Sequence, residues 1–171
     1  MKTKKAVVTG GAGFIGHHLV EHLLTDGWQV DVIDDLSTGE LDNLPSTVTL
    51  HQLDISEDQL PDLRFDVLFH LAAPVSVPES LENPKKYFKG IVVGSRRVME
   101  WAYAMGAKHM IAASTAAIYG DTSTMPLRES LRPRPMSPYA DYKLEMEHMM
   151  DAYHRSEFQC SALRFFNVFG E

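Results

Sequence analysis

The sequence predicts an α/β fold, a doubly wound parallel sheet of about six strands wrapped by helices. Three observations lead there. Short apolar runs rich in β-branched residues alternate with longer stretches of helical period along the whole chain. A glycine-rich turn joins the first such run to the first such stretch. The 171 residues can enclose one substantial core but not a second full domain, so residues 1–171 read as a single domain.

The first strand is KAVVT over Lys5–Thr9, and the first helix follows over Phe14–Thr25, with Leu19, Val20, Leu23 and Leu24 on one face and Gly27 as its stop. QVDVID is the second strand. A third is expected over 48–53 and a fourth over 66–73 (DVLFHLAA). One long helix is expected over 84–105, closed by Gly106, then a fifth strand over 109–114, a helix over 138–156 and a sixth strand over 161–167. The alternation reads as β-α throughout. Residues 120–138 carry four prolines and form a loop long enough to be functional.

Between the first strand and the first helix, Thr9 to Gly16 spell TGGAGFIG. Glycines here let backbone approach a pyrophosphate and set the phosphates at a helix N-terminus, where free N–H groups and the dipole favour negative charge. Asp34 ends the second strand, 21 residues after Gly13, where a carboxylate accepts from adenosine ribose hydroxyls. Asp34 and its neighbour Asp35 repel a 2′-phosphate, and no Arg or Lys lies between Val30 and Leu44, so NAD is expected over NADP. Asp54-Ile55, after the third strand, are placed to meet the adenine.

Tyr139 and Lys143 form a Y-x-x-x-K at the start of a helix, with Ser137 as N-cap and Pro138 at the first position. The spacing sets both side chains on one face, one turn apart. A neighbouring ammonium favours the phenolate, turning a tyrosine with an ordinary pKa near 10 into a usable base for a sugar hydroxyl. Ser114 and Thr115 follow the fifth strand, at the carboxyl edge where ligands of this architecture bind.

Six motifs, TGGAGFIG, VIDD, HLAA (70–73), STAAIYG (114–120), SPYADYK (137–143) and RFFNVFG (164–170), stand in the order seen in extended short-chain dehydrogenases/reductases, the nucleotide-sugar epimerase and dehydratase group. The whole chain resembles that family. The resemblance implies a Rossmann-type domain in which Gly10, Gly13 and Gly16, with Phe14 and Ile15 opening the helix, hold the pyrophosphate of NAD. It implies Asp34 and Asp35 at the ribose, Asp54 and Ile55 at the adenine, and Leu71, Ala72, Ala73, Ser114 and Phe166 along the rest of the cofactor. Thr115, Tyr139 and Lys143 are the implied catalytic trio, Tyr139 and Lys143 also touching NAD, and Ser76, Thr115 and Asn167 the implied contacts of a nucleotide sugar. Ala116 and Ala117 stand where the dehydratases of the group place an Asp-Glu pair, which disfavours dehydration, and AAPVSVPES (72–80) resembles epimerases of hexose and N-acetylhexosamine nucleotides. The family also implies a homodimer through the helices at 84–105 and 138–156. Its members continue past the equivalent of FNVFG into a smaller substrate domain, which this chain is expected to lack. An NAD-dependent 4-epimerase, an NAD-binding module without its own catalysis and a shortened family member therefore all remain open.

Composition narrows the partners. With 16 Lys+Arg against 23 Asp+Glu and no long basic run, neither nucleic acid nor an anionic membrane is expected to bind. The N-terminal apolar stretch is broken by glycines and continues into the first helix, so no signal segment is read and the protein is expected in the cytoplasm. Cys160 is alone, and no metal site is assigned. His70, inside an apolar strand, reads as a buried, hydrogen-bonded histidine.

Overall fold

The computed structural model describes residues 4–170. Six parallel strands form one sheet in the order β3-β2-β1-β4-β5-β6: β1 (Lys5–Thr9), β2 (Gln29–Asp34), β3 (Thr49–Gln52), β4 (Val67–His70), β5 (His109–Thr115) and β6 (Gln159–Phe165). The order reverses between β1 and β4, which opens a crevice at the carboxyl ends of those two strands.

On β1, Ala6, Val7 and Val8 are all fully buried, as a central parallel strand requires. Val7 joins Leu68, Met110 and Ala112 on the face covered by α4 (Gly94–Ala104) and α5 (Pro138–Tyr153). Ala6 and Val8 join Val30 and Val32 on the face covered by Val20 and Leu23 of α1 (Phe14–Thr25). Burial of side chains of this size contributes about 1.5–3 kcal/mol apiece, so the two apolar layers dominate the fold's stability.

The β-α alternation fails twice. Only a 3₁₀ turn at Leu41–Asn43 separates β2 from β3, and residues 53–66 reach β4 without a helix. Both segments lack an apolar stripe and carry prolines, Pro45 and Pro61. The second is fastened by side chains of α4 instead: Arg97 Nε donates to the Ile55 carbonyl at 3.0 Å and Trp101 Nε1 to the Pro61 carbonyl at 2.8 Å.

The single helix expected over 84–105 is compound. A helix missed in the sequence, α2 (Val77–Glu82), comes first, with Pro78 in its first turn and Ser76 as its cap. Then α3 (Pro84–Tyr87), a π-helical turn (Phe88–Val93) and α4 follow without interruption. In an unbroken α-helix Tyr87 and Ser95, eight residues apart, would be about 80° out of line. The wider turn takes up much of that excess, and both are buried. α5 stops at Tyr153, three residues short of expectation. β6 begins and ends two residues earlier than expected, because its partner β5 ends at Thr115, paired with Phe165, where the chain turns into a 3₁₀ segment at Ala116–Tyr119.

Candidate active site

The glycine turn after β1 is shaped by close approach. At Gly10, with φ +72°, a Cβ would lie 2.6 Å from the Ala72 nitrogen, and at Gly16 one would lie 2.1 Å from the Gly10 carbonyl oxygen. Gly11 is equally constrained, 2.7 Å from Val32. At Gly13 the nearest atom is 3.4 Å away, so this position is open where a ligand's phosphates need backbone access. Gly13 caps α1 without any side-chain hydrogen bond, and Phe14, half-exposed, and Ile15 open the helix.

Asp34 is buried at the end of β2. Its Oδ2 accepts from the Ala12 amide and its Oδ1 from the Leu36 amide, both at 2.9 Å, so the carboxylate organises the glycine turn it adjoins. Asp35 is exposed, with Oδ1 accepting from the Ser37 amide. The loop after β2 folds over the turn, where Asn43 Nδ2 donates to the Ala12 carbonyl at 3.1 Å. Asp54 Oδ1 accepts from the amide and hydroxyl of Ser56, and the Ile55 side chain packs into the core against Gly94. Leu71, Ala72 and Ala73, half-buried, run alongside Gly10, with the Leu71 amide donating to the Thr9 carbonyl at 2.9 Å.

Ser137 caps α5 by accepting from the Ala140 amide at 3.2 Å, with Pro138 in the first turn, as expected from the sequence. This brings Tyr139 to the end of β5, where the Thr115 hydroxyl lies near enough to act on its phenol. Burial pushes the Tyr139 pKa up and the Thr115 hydroxyl pulls it partly back. The Tyr87 ring stands edge-on to Tyr139, with centroids 6.3 Å apart. Lys143, one turn further along α5, is buried, and its ammonium donates to the Ala113 carbonyl at 2.8 Å. Burial lowers its pKa to about 8, so the ammonium predominates at pH 7. The expected lowering of Tyr139 by Lys143 is thus not what dominates here; burial of the phenol does.

Four of the expected contact residues are hydrogen-bonded within the chain or exposed. Ser114 donates its hydroxyl to the buried Glu147, which Arg164 also holds, and the Ser76 hydroxyl accepts from the Glu79 amide at the start of α2. Phe166 and Asn167 stand exposed beyond the end of β6. Glu147 and Arg164 escaped the sequence reading, although Glu147 lies four residues after Lys143 on the same helical face. His70 is buried and hydrogen-bonded to Thr9 and Ser95, as read.

Among solved structures, the fold is similar to a UDP-N-acetylglucosamine 4-epimerase from Methanobrevibacter ruminantium in complex with UDP-N-acetylmuramic acid, at 39% identity and a TM-score of 0.92, covering 99% of this chain and 57% of that one. It is likewise similar to a Thermus thermophilus UDP-glucose 4-epimerase in complex with NAD, at 35% identity and a TM-score of 0.91, covering 97% and 56%. In sequence the chain is 38% identical to the UDP-glucose 4-epimerase of Halalkalibacterium halodurans, over 96% of this chain and 51% of that protein. It is 36% identical to that of Azospirillum brasilense, over 97% and 49%. The chain spans about half the length of the relatives it matches. The model of the NAD dependent epimerase/dehydratase family matches residues 6–171, and the chain belongs to that family.

Proposed function

We propose that this chain binds NAD at the carboxyl edge of its sheet and carries the catalytic residues of a nucleotide-sugar 4-epimerase acting on a UDP-hexose or UDP-N-acetylhexosamine. The observation that carries the reading is Thr115 placed beside Tyr139 with Lys143 one turn away, near a glycine turn that excludes side chains at Gly10 and Gly16 but stays open at Gly13. These residues fit a dinucleotide. Asp34 meets the ribose hydroxyls, and the first turn of α1 meets the pyrophosphate.

NAD, when bound, accepts and later returns the hydride of the sugar's C4. Thr115 orients the 4-hydroxyl, and Tyr139 takes its proton and gives it back after the opposite face is presented. Lys143, charged at pH 7, keeps positive potential beside the phenol. The half-exposed Phe88 and Tyr103, on the helical segments at 84–105, support a homodimer through that surface and α5.

Calorimetric titration with NAD, followed by incubation with UDP-glucose and UDP-N-acetylglucosamine and separation of the products, tests the reading. Inverted sugars are expected. NAD binding without any conversion would favour a second reading, a cofactor-binding module that needs further polypeptide for catalysis, which the half-length match to its relatives supports. No NAD binding would overturn both.

A further inference from the structure

Beneath the cofactor edge lies a closed chain of three buried side chains that the proposed chemistry does not use. Thr9 Oγ1 is 2.7 Å from His70 Nδ1, and His70 Nε2 is 2.8 Å from Ser95 Oγ. Thr9 is fully buried, and His70 and Ser95 are 2% and 1% exposed. The chain crosses from β1 through β4 to α4. Its position is specific: Thr9 is the last residue before the glycine turn, and His70 the last before the Leu71-Ala72-Ala73 segment.

Those two segments are in direct contact, since a Cβ at Gly10 would meet the Ala72 backbone, and the Ala72 amide donates to Thr9 Oγ1 at 3.4 Å. With that amide on its oxygen, Thr9 has its own proton for His70 Nδ1, and His70 Nε2–H then donates to Ser95, so every group is satisfied when the imidazole is neutral. Burial first, and the charged Lys143 second, keep the imidazole unprotonated. The π-helical turn and the close contact of Gly94 with Ile55 bring Ser95 within reach.

We propose that Thr9, His70 and Ser95 are positioning residues that lock the glycine turn and the 71–73 segment at the spacing a dinucleotide needs. This rests on the reading of the glycine turn as the NAD site. Without the hydroxyl of Thr9 the side-chain tie between the two segments is lost, and past the β1–β4 ladder the Leu71 amide on the Thr9 carbonyl and the Gly10–Ala72 contact hold their spacing less tightly. The buried His70 Nδ1 and the half-buried Ala72 amide also lose their partner.

The experiment compares the wild-type chain with Thr9→Val, which keeps the shape and removes the hydroxyl, Thr9→Ser, which restores it, and Met110→Ala, which opens a core cavity near the amino-terminal end of β5 without touching Thr9, His70 or Ser95. Calorimetric titration is expected to give NAD affinity about tenfold weaker in Thr9→Val, recovered in Thr9→Ser and unchanged in Met110→Ala, whatever their melting temperatures. Thr9→Val binding NAD like the wild type, or Met110→Ala losing as much affinity, would overturn the proposal. Amide hydrogen exchange by NMR, without cofactor, tests the lock independently: faster exchange at Ala72 in Thr9→Val supports it and unchanged exchange refutes it. A wild type that binds no NAD while Ala72 responds as expected would defeat the cofactor reading and leave the lock standing.

Discussion

Arg164 on β6 grips Glu147 on α5 with two nitrogens, Nη2 to Oε2 at 2.7 Å and Nε to Oε1 at 3.0 Å. The same guanidinium donates to the Tyr119 hydroxyl at 2.7 Å and the Glu129 carbonyl at 3.2 Å, so one side chain ties the last strand, the helix bearing Tyr139 and the 120–137 loop together. Removing either partner leaves a largely buried charge alone. Arg164→Met and Glu147→Leu are each expected to lose about 3–5 kcal/mol in urea unfolding, and the double variant to recover much of it. Single variants with unchanged midpoints would show the pair to be energetically idle.

His70 makes stability depend on acid. Its pKa falls from 6.5 to about 3, through burial first and Lys143 second. Between those values the unfolded chain takes up a proton that the folded chain does not, so stability is full above pH 6.5 and drains by about 1.4 kcal/mol per pH unit as pH falls toward 3. An NMR titration is expected to find the His70 ring neutral from pH 7 to 5, and a midpoint near 6 would contradict it.

Lys143 works in the same direction, in an alkaline window. With its pKa lowered from 10.5 to about 8 by burial, it penalises the fold below pH 8, and stability rises as pH climbs from 8 to 10.5. Lys143→Met should therefore be more stable at pH 7, by about 1–3 kcal/mol, while binding NAD more weakly. Calorimetry on the variant tests both halves, and a less stable Lys143→Met would show that the bond to the Ala113 carbonyl outweighs the burial.

Asp34→Asn should reduce the preference for NAD over NADP by about tenfold, or 1.4 kcal/mol, because the charge facing the ribose is lost. Asn retains an acceptor for only one of the two amides at Ala12 and Leu36, so a lower melting temperature should accompany the change. Equal preference in wild type and variant, measured by titration with each cofactor, would remove Asp34 from the recognition of the ribose.

Tyr139→Phe, which keeps the ring against Tyr87 and removes only the proton acceptor, is expected to abolish sugar conversion and leave NAD affinity within about threefold. Product separation after incubation with UDP-glucose checks the first and calorimetry the second. Conversion at the wild-type rate would make the Tyr-Lys pair incidental.

What could be read in advance followed short-range chemistry. β1, α1 and β2 have the bounds read from the sequence because the glycines, the apolar stripe and Gly27 act within a few residues of one another. Ser137 and Pro138 marked the start of α5 for the same reason. α2 escaped the reading because a proline in the first helical turn and a proline that breaks a helix look alike without the Ser76 cap. The π-helical turn was hidden because its apolar residues continue the stripe on either side. Phe166 and Asn167 were counted into β6 although the strand's end is set by where β5 turns away. The partners of the side-chain networks, Thr9 with His70 and Glu147 with Arg164, lie 61 and 17 residues apart, and only the sheet brings them together.

Because Gly13 offers α1 no side-chain cap, the helix keeps its first-turn donors for whatever anion arrives. Ligand and helix then complete one another thermodynamically: occupancy at a hundredfold excess over Kd adds about 2.7 kcal/mol, roughly 5–10 °C of melting temperature for a chain of this size. With NAD as that anion, as proposed above, heat resistance would become a gauge of cofactor supply. A cell short of dinucleotide would hold more of this protein in its unfolded, protease-sensitive form, so its abundance would follow the nucleotide pool without any dedicated regulator.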